Sequence, residues 1–71
     1  MDYAYFKVCR VRCLCCGTVL VHVNRNKYDS SPGLMWCRCG RVGLDPAPLG
    51  YRVLSTEGFD IVEDASELWR D

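Results

Sequence analysis

Two short cysteine clusters, each closed by a glycine, constrain this chain more than anything else in it. Cys13-Leu14-Cys15-Cys16-Gly17 contains a C-x2-C-G unit, and Cys37-Arg38-Cys39-Gly40 supplies C-x-C-G after a twenty-residue interval. Two close pairs separated by a strand-turn-strand length are the spacing of a zinc ribbon, in which each pair forms half of a tetrahedral four-thiolate site. The glycines follow from the same geometry. After the second thiolate of each pair the chain must turn back sharply, and glycine takes positive φ without a Cβ penalty.

Six cysteines offer more than one set of four. Cys16 is preferred to Cys15 because the glycine follows it and a two-residue spacer suits a knuckle. The expected ligands are therefore Cys13, Cys16, Cys37 and Cys39, holding one structural Zn²⁺. Cys9 shares a strand face with Val11 and Cys13 and reads as a small buried hydrophobe; Cys15 reads as a bystander thiol. Three disulfides would need an oxidising compartment, and Met1-Asp2-Tyr3 does not read as an export signal. An iron–sulfur centre is the other use of such cysteines. A redox C-x-x-C belongs at a helix start, whereas Cys16-Gly17 runs into the β-rich Thr18-Val19-Leu20-Val21-His22-Val23.

At 71 residues the chain is one small domain whose apolar core needs a staple. Residues 5–44 read as the ribbon core and 45–71 as an acidic C-terminal extension. The expected class is a small metal-stabilised β fold, β-rich α+β, with two knuckles. Strands are expected at 5–12, 18–24, 34–37 and 51–55, with a polar loop at 24–33. Asp45-Pro46-Ala47-Pro48-Leu49-Gly50 is a connector, since proline lacks the amide a central strand needs. Phe59-Asp60-Ile61-Val62 is ambiguous between extended chain and the approach to a helix. Asp64-Ala65-Ser66-Glu67 matches a capping box, which predicts one or two helical turns at the end. Phe59, Ile61, Leu68 and Trp69 are expected to pack on the sheet, and Trp36 to anchor the core.

Charge is balanced overall, nine basic against nine acidic residues, but it is divided along the chain. Residues 1–43 hold seven basic and two acidic side chains, net +5; residues 44–71 reverse those numbers, net −5. Nucleic-acid binding would use Arg10, Arg12, Arg38 and Arg41 as a phosphate-facing patch, against repulsion from the acidic end. His22, the sole histidine, would have to displace a better-spaced cysteine to become a ligand. Four thiolates leave zinc no open position, and no other constellation points to catalysis, so the chain is not expected to be an enzyme. No apolar run reaches the roughly 18 residues of a membrane span.

From Val11 to Val19, and again from Trp36 to Asp45, the chain resembles a group of short, uncharacterised zinc-ribbon proteins of bacteriophages and prophages. The resemblance continues more loosely through Tyr51-Arg52 and Glu63-Asp64-Ala65-Ser66-Glu67. It departs at the longer 24–33 loop and the proline-rich 45–50 stretch. It implies a viral origin, a place in the host cytoplasm, and action by binding a host or defence protein. Such a partner would meet surface outside the ligands. Arg25, Lys27 and Tyr28 in the 24–33 loop are the expected contacts, ahead of the strand edge near Trp36 and the acidic end from Glu57 to Asp71. A nucleic-acid-binding ribbon is the alternative.

Overall fold

Residues 4–70 are described by the computed structural model, the Arg70 side chain excepted. Met1-Asp2-Tyr3 and Asp71, which enter the reading of the chain start and the charge count, lie outside them. The backbone is organised around one long strand, β1 (Ala4–Cys13), whose alternation puts Cys9, Val11 and Cys13 on a single buried face. On one side β1 pairs antiparallel with β2 (Val19–Val23), matching Val11 with Leu20 and Cys9 with His22. On the other it pairs with β6 (Val62–Asp64) through Val11 to Cys13, and with β7 (Glu67–Arg70) through Ala4 to Val8, with a bulge between Phe6 and Val8.

A second sheet runs in the order β3 (Met35–Trp36), β4 (Val42–Asp45), β5 (Arg52–Ser55). Its Val42 and Leu44 are fully buried with Cys9, Val11, Cys13, Leu20 and Cys37, and Phe6, Met35, Tyr51, Val53, Ile61 and Val62 pack around them. Three of the seven central side chains are thus cysteines. The connector at 46–51 lies alongside the start of β1, where the Phe6 amide donates to the Pro48 carbonyl at 2.7 Å. Phe6 and Tyr51 meet edge to face with ring centroids 4.7 Å apart.

The C-terminal end departs from expectation. Among the described residues there is no α-helix; a single 3-10 turn, Phe59–Ile61, leads into β6. The capping-box pattern at Asp64-Ala65-Ser66-Glu67 makes a different structure from the same groups. The Ser66 amide donates to Asp64 Oδ1 at 2.9 Å, an Asx turn. Ser66 Oγ then takes the Arg10 amide at 3.0 Å, while the Ala65 amide donates to the Arg10 carbonyl at 2.9 Å. A serine hydroxyl stands in for a ladder rung between β6 and β7, and the chain stays on the edge of β1.

Edge pairing also changes what the extension buries. β6 and β7 extend the sheet along β1 instead of covering its face: Leu68 and Trp69 on β7, like Phe59 in the 3-10 turn, are exposed, and Ile61 alone of the expected four is half-buried. Trp36 is likewise not a core anchor: it is 47% exposed. It lies opposite Gly43 in the β3–β4 ladder and covers that glycine's outer face, where a Cβ would meet the ring at 3.0 Å. No helix among the described residues is long and apolar enough to cross a membrane.

Candidate metal centre

Both knuckles are built as strand ends that fold back on themselves. At the end of β1 the Cys13 amide donates to the Thr18 carbonyl at 2.9 Å and the Gly17 amide to the Cys13 carbonyl at 2.8 Å. Before β4 the Cys37 amide donates to the Val42 carbonyl at 2.9 Å and the Gly40 amide to the Cys37 carbonyl at 3.0 Å. Gly17 and Gly40 share φ 76°, and a Cβ at either would meet nothing within 4 Å. Glycine is there for the left-handed backbone, not for space. The one-residue spacer of the second cluster simply makes a tighter version of the same turn.

The two turns face each other, and the Sγ atoms of Cys13, Cys16, Cys37 and Cys39 lie within 4.8 Å of one another. Cys13 to Cys39 is 3.6 Å and Cys37 to Cys39 is 3.4 Å. These separations are close to the edge of about 3.8 Å that a tetrahedron of Zn–S bonds would have. The group is thus able to hold a metal ion. Cys13 and Cys37 are buried and Cys16 and Cys39 exposed, so the centre sits at the rim of the core, with two sulfurs anchored in it.

The surrounding dipoles favour thiolates unevenly. The Thr18 hydroxyl, 3.1 Å from Cys16 Sγ, together with the Thr18 and Cys39 amides, lowers that thiol to about 5. At Cys39 the Arg41 amide works the same way, but burial and the sulfurs of Cys37, Cys16 and Cys13 push it up to about 12. Burial raises Cys13 despite the amides of Cys16 and Cys15. Burial also opposes ionisation of Cys37, yet the Val42 amide, donating to its sulfur at 3.3 Å, and the Cys39 thiol bring it below the ordinary thiol value. Four sulfurs this close cannot all carry charge without a cation among them.

The remaining cysteines lie apart from the group. Cys9 is fully buried beneath the 46–51 connector; its thiol donates to the Ala47 carbonyl at 3.7 Å, Asn24 Nδ2 donates to it at 3.6 Å, and burial pushes it up. Cys15 is exposed on the first knuckle against the Arg41 guanidinium, which also lies 3.6 Å from Glu57. His22 faces Cys9 across the β1–β2 ladder, away from the four sulfurs.

Two supports of the centre escape a reading of the cysteines alone. Thr18 Oγ1 accepts the Arg38 amide at 3.3 Å while contacting Cys16, so one hydroxyl ties the knuckles together. The C-terminal segment makes a backbone hydrogen bond to each knuckle: the Leu14 amide donates to the Ile61 carbonyl at 2.8 Å, and the Thr56 amide to the Arg41 carbonyl at 3.0 Å. The position of Thr18, directly after the knuckle glycine, is the only signal the sequence carries for these.

Arg25, Lys27 and Tyr28 fall together on the loop after β2. Asp29 shapes it, accepting the Arg25 amide at 2.9 Å and the Ser30 amide at 3.0 Å with the Arg25 guanidinium 3.8 Å away. Tyr28 is 81% exposed, and Lys27 Nζ lies 5.4 Å from its ring centroid. Comparison with protein-family models, curated proteins and solved structures returned no match.

Proposed function

We propose that this is a zinc ribbon in which Cys13, Cys16, Cys37 and Cys39 hold one structural Zn²⁺, and that it is a non-enzymatic, phage-type protein acting by binding a host or defence protein. The convergence of four sulfurs from two like turns carries the metal part of the reading. An all-thiolate tetrahedral donor set suits zinc, and four such ligands leave no position for a substrate or water. In a core where three of seven central residues are cysteines, metal binding supplies folding free energy on the order of 10 kcal/mol.

Protein binding is favoured over nucleic-acid binding by where the acidic end lies. Arg10 faces Glu67 at 3.9 Å, Arg41 faces Glu57 at 3.6 Å, and Arg12 is the cross-strand neighbour of Glu63. The folded extension therefore sets carboxylates beside three of the four arginines that a phosphate backbone would need. Pull-down from host lysate with and without nuclease, followed by reconstitution with the purified captured protein, tests the reading. A stoichiometric complex that survives nuclease is the expected result. Binding to bare DNA or RNA with a steep salt dependence, and no protein complex, would contradict it.

A further inference from the structure

Among the described residues, no strand pairs with the outer edge of β2, which is joined to β1 alone. The ladder fixes which of its backbone groups are spent. The Cys13 amide donates to the Thr18 carbonyl and the Asn24 amide to the Lys7 carbonyl, so Thr18, Leu20, His22 and Asn24 occupy the hydrogen-bonded positions of the antiparallel pair. The amides and carbonyls of Val19, Val21 and Val23 point the other way. Their side chains share one face and are 49%, 44% and 54% exposed. Natural edges are usually protected by charge, proline or a bulge. Val19-Leu20-Val21-His22-Val23 has no proline and no acidic or basic charge, and its pairing runs without a bulge.

We infer that this edge is an interaction surface for a second copy of the same chain, joined antiparallel through β2 about a twofold axis at Val21. The V-x-V-x-V sequence is its own complement in that register. Val21 meets Val21 of the second copy and Val19 meets Val23, so the three residues with outward backbone groups are the ones brought into hydrogen-bonded positions, for about six new bonds. Six valines then form one apolar strip across the junction. Electrostatics permit the approach, because the chain has nine basic and nine acidic residues and β2 itself carries no formal charge. Continued two residues past each strand end, the register sets the exposed Arg25 opposite Gly17 of the second copy, next to its thiolate knuckle. That last attraction rests on the zinc reading, through the net negative charge of a zinc tetrathiolate; the backbone register does not. One strand pair buries less than the roughly 1,200 Å² of a stable standard interface, so the dimer is a weak, reversible one.

The full metal-loaded chain, followed by sedimentation over about 1 µM to 1 mM, is expected to pass from monomer to dimer and no further. Val21→Lys puts two like charges at the axis and is expected to weaken dimerisation at least tenfold while keeping the metal; Val21→Asp does the same, and an equimolar mixture of the two restores a heterodimer. Amide exchange gives an independent reading. Val19, Val21 and Val23 should gain protection with concentration, whereas Leu20 and His22 are protected throughout. A monomer at every concentration, a dimer indifferent to Val21→Lys, or open-ended assembly would each overturn the proposal. Loss of metal in the variants, with dimerisation of the unaltered chain intact, bears on the centre and leaves the exchange pattern to decide the interface.

Discussion

Thr18 Oγ1 stands 3.1 Å from Cys16 Sγ, one residue past the glycine that turns the first knuckle. The contact stabilises the thiolate form and is the leading reason that Cys16 falls to about 5. Thr18→Val keeps the shape and removes the hydroxyl. Metal affinity should fall about tenfold, the usual effect of losing such an outer-shell partner. The sign in pH follows. Without the hydroxyl the Cys16 pKa rises, protons compete with metal at higher pH, and the midpoint of acid release moves upward. Competition with a chromophoric chelator across pH measures both.

The six cysteines should divide cleanly. Cys13→Ser, Cys16→Ser, Cys37→Ser and Cys39→Ser should each abolish stoichiometric metal. Cys15→Ser should leave metal content and stability unchanged, because its sulfur lies outside the cluster. Cys9→Ala should retain one metal but lose about 1 kcal/mol, since it empties part of a fully buried site. Metal analysis with urea denaturation separates the three classes.

Asp64 ties the C-terminal turn to the end of the connector before β5 by accepting the Tyr51 hydroxyl and the Ser66 amide. Burial opposes its ionisation, but those donors outweigh it and hold Asp64 below the ordinary carboxylate value of 3.8. A lowered folded pKa means that the contribution is complete above the unfolded value and is lost as the pH falls through the folded one. Asp64→Asn should therefore cost about 1 kcal/mol at neutral pH. The gap to the unaltered chain should hold from neutrality down to about pH 4 and narrow only below it, as urea midpoints from neutrality to about pH 2 would register.

Replacing Arg25, Lys27 and Tyr28 together by alanine should preserve metal and fold, because the loop is shaped by Asp29 and the three side chains lie outside the core. Partner affinity should drop at least tenfold, about 1.4 kcal/mol. Titration calorimetry on the captured partner checks it; unchanged affinity would direct attention to the acidic end.

The cluster was legible because cysteine spacing is local: spacing and one glycine specify each turn, and the strand period of Val19 to Val23 brings the chain back. What the sequence misstated depends on distant partners. Asp64, Ser66 and Glu67 satisfy a helix cap on paper, yet the unpaired Arg10 backbone beside them gives Ser66 a better use as a rung of the sheet. Trp36 looks like a core anchor until Gly43 is known to lie across from it, a small residue whose outer face the indole covers. Edge pairing of β7, which leaves Leu68 and Trp69 exposed, likewise follows from the free side of β1 and from no pattern within residues 67–70.

On the proposed reading a single zinc ion joins the two knuckles. Native mass spectrometry of the chain purified without added metal, repeated after treatment with a strong chelator, tests it most directly. One zinc per chain, lost on chelation together with the folded charge-state distribution, is the predicted result. A chain that is metal-free as purified, or that stays folded after its zinc is removed, would contradict it.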